Sequence, residues 1–158
     1  MDEPVTAGRP RPPRLEPAPF SSSAVSDVGS GLIVGCGPDA SLEEVAGRMS
    51  THRVHCVVVF DRTRGMPWKV ITDLDVARVA ARGERPPAAA IAGAPVVVVR
   101  EADSLVDAAH TLARQGASHA VVVDDDRGMP SGIISSLDIV HAIACESGPI
   151  KSTRRSHD

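Results

Sequence analysis

Two short stretches of the chain, ITDLDVA at 71–77 and ISSLDIV at 134–140, place a hydroxyl residue three positions before an aspartate. An apolar pair typical of a strand precedes each, and a helical pattern follows, so both groups are expected at the start of a helix. A helix start offers backbone N–H groups and partial positive charge, which favour an anion. A carboxylate one turn further on can accept hydrogen bonds from a vicinal diol, so the set suits a ribose that carries phosphate. The four side chains are Thr72, Asp75, Ser135 and Asp138.

The same spacing has a second interpretation. A Ser or Thr three residues before an acidic residue also forms a capping box, which satisfies helix amides without any ligand. The chain has this pattern at Ser41 with Glu44, where no ligand is expected, and at Ser104 with Asp107. A pure helix cap and a ligand-holding helix start therefore both fit a single copy. The strand, hydroxyl, aspartate and helix occur twice in the same order, which favours a ligand.

The two stretches belong to a tandem duplication with an offset of 63 residues (135 − 72). At that offset SLEEVAGRM, from residue 41, falls on SLVDAAHTL, from residue 104, and the tetrapeptide RGMP recurs. Each copy has only about 55 residues, which is too few to bury a good core alone. We therefore expect the copies to pack on each other and to form two equivalent clefts.

Each copy predicts the element order β-α-β-β-α, so the expected fold class is α+β (α/β-like), with the two units packed as one pseudo-two-fold module. The predicted strands cover 32–34, 55–60 and 68–71 in the first copy and 95–99, 119–123 and 132–134 in the second. A helix follows the first strand of each copy, because apolar residues recur at helical spacing from Leu42 and from Leu105. The second helix of each copy is predicted to begin at Thr72 or Ser135.

Composition separates these repeats from their flanks. Residues near the amino terminus are rich in proline and poor in apolar side chains, which predicts disorder. The predicted division is 1–23 as a disordered Pro-rich tail, 24–80 as the first repeat, 81–86 as a linker, 87–144 as the second repeat and 145–158 as a mobile tail.

Charge and hydropathy exclude several classes of protein. The net charge of −3 and the isoelectric point near 6.0 argue against nucleic-acid binding, which usually needs a basic surplus. No apolar run approaches the roughly 18 residues that span a bilayer, so no membrane interaction is expected. Three widely spaced cysteines without a CxxC pair indicate free thiols in a reducing, cytoplasmic compartment.

Neither a metal site nor a catalytic site is predicted. His52, His55 and Cys56 lie close in the sequence, but strand alternation sends the last two to opposite faces. No nucleophile, base and orienting group occur in a recognisable arrangement. We expect neither an enzyme nor a required cofactor.

The duplicated unit resembles the CBS domain pair, also called a Bateman module, from about residue 24 to residue 144. The resemblance implies an adenosine-containing ligand, either AMP, ADP, ATP or S-adenosylmethionine, in the cleft between the repeats. In that family the hydroxyl reaches phosphate, the aspartate holds the ribose hydroxyls, and the base lies against apolar residues and strand backbone. The positions implied beside the base are Val34, Val54, Val97, Ala117 and His119. For His119, stacking on adenine and a structural, partly buried imidazole both stay open.

One position departs from the family pattern. Members often carry Gly just before the apolar pair of the third strand, which Gly132 matches in the second repeat, whereas the first has Lys69. A lysine at this point either obstructs a bound base or neutralises a phosphate. In both cases the two clefts are expected to be unequal.

The resemblance implies a stand-alone sensor that relays ligand binding to an effector protein of unknown identity. The second helices, VARVAA at 76–81 and IVHAIA at 139–144, are rich in small apolar residues, which predicts a homodimer through these surfaces. Parallel and antiparallel arrangements of the two copies stay open. The alternative is a dimerisation or interaction module that binds no nucleotide.

Overall fold

Valine-rich strands form two small sheets, one at the centre of each repeat. The structure is a computed structural model, and it describes residues 19–29, 31–61, 63 and 66–146. Most of both predicted tails, residues 1–18 and 147–158, lies outside the described residues. The predicted α+β fold of two packed repeats is confirmed.

Both repeats contain the predicted order β-α-β-β-α, preceded in each by short elements that were not predicted. A 3-10 helix (Phe20–Ser22) and the helix α1 (Val25–Val28) come first, followed by β1 (Gly35–Cys36), α2 (Leu42–His52), β2 (Cys56–Asp61), β3 (Met66–Thr72) and α3 (Asp73–Ala81). After a short 3-10 helix (Ala88–Ala90) come β4 (Ala94–Pro95), β5 (Val98–Arg100), α4 (Leu105–Gln115), β6 (His119–Val123), β7 (Pro130–Ser135) and α5 (Ser136–Glu146). Ser41 and Ser104 cap α2 and α4 as predicted, each accepting a hydrogen bond from the amide three residues on.

The sheets have the orders β1-β2-β3-β4 and β5-β6-β7. In each, the first strand is parallel to the second, and the second is antiparallel to the third. The single strand predicted at 95–99 is wrong, because this segment crosses between the sheets. Ala94 and Pro95 pair with β3 of the first repeat, whereas Val98 begins the edge strand of the second. The strand predicted at 32–34 begins later, at Gly35.

Each repeat completes its hydrophobic core with a segment from the start of the other repeat. Val25 is fully buried in the core of the second repeat, and the amide of Leu105 donates to the carbonyl of Ser23 at 2.9 Å. Ala88 and Ile91 are fully buried in the core of the first repeat. The exchange supplies buried apolar surface that a unit of this size lacks by itself.

Residues at the end of the predicted amino-terminal tail also contact the second repeat. Residues Phe20–Ser22 form a 3-10 helix, and Phe20 packs against the core of the second repeat. The backbone N–H and the hydroxyl of Ser21 both donate to the Glu146 carboxylate at the end of α5.

A third apolar cluster joins the two sheets face to face. Its buried members are Ile33, Cys56, Val58, Val70, Val121 and Ile133. Apart from Ile33, which precedes β1, they come from the inner faces of both sheets, because alternate strand residues point to opposite sides. The other faces of the same strands carry residues of the separate repeat cores, such as Val57 and Val122. The strands are buried on both sides, which explains their continuous apolar sequences.

The outer faces of α3 and α5 remain apolar and exposed. Leu74 on α3 and Leu137, Val140 and Ile143 on α5 each keep about half of their side chains accessible. No helix among the described residues is both long enough and apolar enough to cross a bilayer.

Replacing a buried residue of the exchanged segment tests whether the repeats complete each other. Ile91→Ala should lower the free energy of unfolding by about 2–5 kcal/mol, because it leaves a cavity in the core of the first repeat. Met129→Ala, at an exposed residue in the β6–β7 turn, should change it by less than about 0.5 kcal/mol. Urea denaturation measures both. A loss below 1 kcal/mol in the Ile91 variant would contradict the exchange.

Candidate functional site

The start of α3 has the predicted hydroxyl and carboxylate joined in a capping box. Oδ2 of Asp75 accepts hydrogen bonds from the Thr72 backbone N–H at 2.9 Å and from the Thr72 hydroxyl at 2.8 Å. The Asp75 amide donates to the same hydroxyl at 3.3 Å. The side chain of Asp75 is only 12% exposed, and its Oδ1 lies 3.5 Å from an Arg78 guanidinium nitrogen. One carboxylate oxygen is thus committed to the helix, and the other lies beside a cation.

The start of α5 repeats this geometry. Oδ2 of Asp138 accepts from the Ser135 backbone N–H at 2.7 Å and from the Ser135 hydroxyl at 2.8 Å, and the Asp138 amide donates to that hydroxyl at 3.2 Å. Among the described residues we find no hydrogen bond to Oδ1 of Asp138. Each pair is thus a helix cap, and each keeps one carboxylate oxygen outside the capping box; the ligand-holding interpretation stays a prediction.

The two helix starts differ at the residue that follows the hydroxyl. Oδ1 of Asp73 accepts from the Leu74 amide at 2.8 Å, and its Oδ2 lies 2.9 Å from Nδ1 of His55. The hydrogen bond with His55 is the main reason that the pKa of Asp73 lies below its ordinary value. In the second repeat the equivalent residues are Ser136 and Ser118. A carboxylate and an imidazole thus stand where the other repeat has two serines.

His119 lies where the repeats meet. It pairs with Ser135 across β6 and β7, and its Nδ1 lies 2.9 Å from the Ser118 hydroxyl. Burial lowers the pKa of His119, while Asp73 of the first repeat acts in the opposite direction. His55 and Asp138 also act on this imidazole electrostatically. The predicted site residues of the second repeat are therefore close to the helix start of the first.

A cavity of about 240 Å³ contains two of the positions predicted beside the base. Val97 and Ala117 line it, together with neighbouring residues of 94–98 and side chains from the last turns of α4. Because Ala94 and Pro95 pair with β3, the cavity lies beside the strand that ends in Thr72. The described lining of this cavity comes from the second repeat and the segment that leads into it, and it does not include Thr72, Asp75, Ser135 or Asp138.

Two other positions predicted beside the base lie mainly against the core of the first repeat. Val34 is 4% exposed in that core, so its side chain offers little surface to a ligand. Val54 is half-buried against the same core and lines a cavity of about 410 Å³ between α2 and α3. His55 and Asp73 lie at the same cavity.

Lys69 has a structural role that neither sequence interpretation included. Its ammonium group donates to the carbonyls of Ala89 and Ile91, both at 2.8 Å. The Lys69 side chain also packs against Gly93. A larger residue does not fit at Gly93, because an added Cβ would contact this side chain and lie 2.5 Å from the Val70 carbonyl oxygen. The lysine therefore fastens the segment between the repeats to the edge of the first sheet.

The cysteines are free, with Cys36 and Cys56 buried and Cys145 exposed. Burial raises the pKa of Cys36 to about 11 and that of Cys56 to about 12, so both thiols stay protonated at neutral pH. Within the described residues, no three His, Cys, Asp or Glu side chains are grouped so as to hold a metal ion.

Sequence reasoning missed the Asp73–His55 pair. The residue between a hydroxyl and its aspartate carries no signal in a capping motif, and His55 belongs to a different element. The offset of 63 residues did contain a signal, because it aligns Asp73 with Ser136 and His55 with Ser118. Comparing ionisable residues between the two copies would have drawn attention to both.

Comparison with known proteins gives one family and one fold. A family model for the CBS domain matches residues 25–82 and again residues 88–145. A search of curated protein sequences gave no match.

Solved structures of CBS domain pairs have the same fold. The CBS domain pair of the protein MJ0100, in complex with 5′-methylthioadenosine and S-adenosyl-L-methionine, is 22% identical with a TM-score of 0.69, covering 78% of this chain and 98% of that chain. The protein PAE2072 from Pyrobaculum aerophilum, complexed with AMP, is 25% identical with a TM-score of 0.66, covering 77% and 98%. The CBS domain of a bacterial CNNM/CorC family Mg2+ transporter, in complex with ATP, is 19% identical with a TM-score of 0.65, covering 80% and 90%.

The lowered pKa of His119 predicts a pH dependence of stability. The folded chain binds this proton more weakly than the unfolded chain, so the contribution is complete above about pH 6.5, the ordinary pKa of histidine, and is lost as the pH falls towards the lowered value. His119→Gln should reduce the slope of unfolding free energy against pH below 6.5. Urea denaturation at several pH values measures the slope, with His110→Gln on the exposed face of α4 as control. An unchanged slope in the His119 variant would contradict the burial of a neutral imidazole.

Proposed function

The chain belongs to the CBS domain family, and on that basis we propose that its two repeats form a regulatory module that binds an adenosine-containing ligand between them. The observation that carries the proposal is the duplicated hydroxyl and carboxylate at the starts of α3 and α5. Both starts lie at the junction of the repeats, where the electrostatic neighbours of His119 come from each half. A ligand at this junction contacts both repeats at once.

The capping boxes hold these groups in place before any ligand arrives. Oδ2 of each carboxylate fixes the backbone at the helix start, so Oδ1 is the oxygen proposed to accept hydrogen bonds from ribose hydroxyls, beside Arg78 in the case of Asp75. Such preorganisation reduces the entropy lost on binding. A helix cap is therefore compatible with a ligand-holding role.

The ligand class comes from the family and from the solved neighbours. AMP, ATP and S-adenosyl-L-methionine are bound by the similar structures, and each contains a ribose with a vicinal diol. The cavity of about 240 Å³ beside β3 supplies apolar lining for the base through Val97 and Ala117. AMP, ADP, ATP and S-adenosylmethionine are the candidate ligands, and Thr72, Asp75, Ser135, Asp138 and His119 are the side chains proposed to contact them.

The proposed output is a change in how the module docks with an effector protein, not a chemical reaction. A ligand shifts such an equilibrium only through its different affinities for the two arrangements of the repeats. Free thiols in the described chain fit a cytoplasmic protein, which is the proposed location.

We also propose a homodimer formed through α3 and α5. Leu74, Leu137, Val140 and Ile143 expose apolar surface on these helices, and burial against a second copy removes it from water. The two helices occupy equivalent places in the repeats, so a two-fold arrangement can cover both.

Conservative replacement of the two carboxylates tests ligand binding. The chain with AMP, ATP or S-adenosylmethionine at 100 times the dissociation constant should gain about 2.7 kcal/mol of apparent stability. Asp75→Asn and Asp138→Asn should each remove the contribution of one cleft, because an amide replaces an acceptor oxygen with a donor. Thermal unfolding and calorimetry measure the effects.

Asp107→Asn is the matched control for that experiment. Its carboxylate accepts from the Ser104 hydroxyl at 2.7 Å at the start of α4, away from the proposed clefts; among the described residues it lacks the backbone hydrogen bond that Asp75 and Asp138 accept. This variant should lose part of the helix cap, about 1 kcal/mol, and keep the full ligand response. If no adenosine compound stabilises the unaltered chain, the ligand-free interaction module becomes the better account.

A charge on the exposed face of α5 tests the homodimer. Val140→Glu should convert a dimer into a monomer, because burying an unpaired carboxylate in an interface is unfavourable. Sedimentation equilibrium reports the mass. Met129→Glu, at another exposed apolar residue in the β6–β7 turn, should leave the dimer intact. A monomeric unaltered chain, or a dimer that survives Val140→Glu, would exclude this interface.

A further inference from the structure

The two proposed clefts differ in charge at the point where a phosphate would approach. The amide of the second residue in a helix has no acceptor within the helix, so it is one of the groups that a helix start offers to an anion. In α3 this amide belongs to Leu74, and the Asp73 carboxylate already accepts its hydrogen at 2.8 Å. The first cleft thus contains a carboxylate of the chain at the place of an external anion.

In α5 the equivalent amide belongs to Leu137. The residue before it is Ser136, whose side chain has no charge, and among the described residues we find no acceptor for the Leu137 amide. The first amide of each helix has the same kind of acceptor in both repeats, the backbone carbonyl of the residue before β2 or β6. The Asp73 amide donates to the His55 carbonyl, and the Ser136 amide donates to the Ser118 carbonyl. The helix starts therefore differ at the second amide and its neighbouring side chain, in addition to the Arg78 guanidinium beside Asp75, whose equivalent in the second repeat is His141.

The charge of Asp73 is held in place by its surroundings. Its second oxygen lies 2.9 Å from Nδ1 of His55, and this contact keeps the pKa of the carboxyl below its ordinary value. The group is ionised throughout the neutral range, and it also acts on His119 of the opposite repeat. A phosphate in this cleft would have to displace the carboxylate from Leu74 or lie next to it.

We infer that the two clefts take adenosine ligands of different charge: the cleft at α5 accepts one that carries phosphate, and the cleft at α3 accepts one without phosphate, neutral or cationic. Asp73 and Ser136 are the residues that determine this specificity. The inference rests on the proposed function, because it assigns ligand classes to the same two clefts. Two like charges a few ångströms apart near a protein surface lower affinity by at least about tenfold.

Reciprocal exchange of the two residues tests the inference. Asp73→Ser gives the first repeat the residue of the second, and Ser136→Asp does the reverse, so each variant is the control of the other. Calorimetry at pH 8, above the reference pKa of histidine of about 6.5, limits the contribution of charged imidazoles. The probes are AMP and adenosine, which share base and ribose and differ in the phosphate.

The unaltered chain should bind one AMP at the α5 cleft more tightly than any AMP at the α3 cleft. The Asp138→Asn substitution should remove this tighter site. Asp73→Ser should create a second AMP site at least about tenfold tighter than the first cleft of the unaltered chain. Ser136→Asp should weaken AMP by at least about tenfold and change adenosine binding little.

The outcomes separate this inference from the proposed function. Two equal AMP sites in the unaltered chain, or a Ser136→Asp variant that keeps its AMP affinity, overturn the charge selection and leave adenosine binding intact. Failure of both AMP and adenosine to bind the unaltered chain overturns the proposed function and this inference with it.

Discussion

The contact between the inner faces of the two sheets is the interaction on which the rest of the structure depends. Neither repeat is large enough to bury a sufficient core by itself, and the cluster around Val58 and Val121 makes the two halves one hydrophobic unit. This contact also sets the positions of α3 and α5, because each helix follows directly from a strand of the shared layer. The spacing between the two hydroxyl and carboxylate pairs is thus a consequence of sheet packing.

Much of this arrangement can be predicted from the sequence, because it depends on patterns among residues that are close together in the chain. The 63-residue offset indicates the pseudo-symmetry, helical spacing gives α2 and α4, and continuous valines give β2 and β6. The capping boxes were equally local, since Ser and Thr bond an amide three residues away. What the sequence lacks is information about partners far along the chain. The pairing of Ala94 with β3, and the burial of Val25 in the second repeat, depend on contacts that no local pattern encodes.

The candidate site shows the same division. Thr72, Asp75, Ser135 and Asp138 were identified because the motif repeats, and their hydrogen bonds follow the motif closely. Val34 was placed beside the base by analogy, yet the structure buries it in a core. Lys69 was treated as a cleft residue, although its length lets it reach two carbonyls of the connecting segment. Long flexible side chains are the hardest to place, because several partners lie within their reach.

The exchange of segments between the repeats has a consequence for the order of events during synthesis. The first repeat lacks Ala88 and Ile91 until the connecting segment has left the ribosome, so its core closes late. Val25 is buried later still, because the core cluster that it joins includes Ile134 and Ala142, near the end of the described chain. Contacts this distant in sequence carry a large loop-closure cost and slow folding. Val25 is therefore made before most of both repeats and is among the last residues to be buried, and until then apolar surface in both halves is open to chaperones or to aggregation.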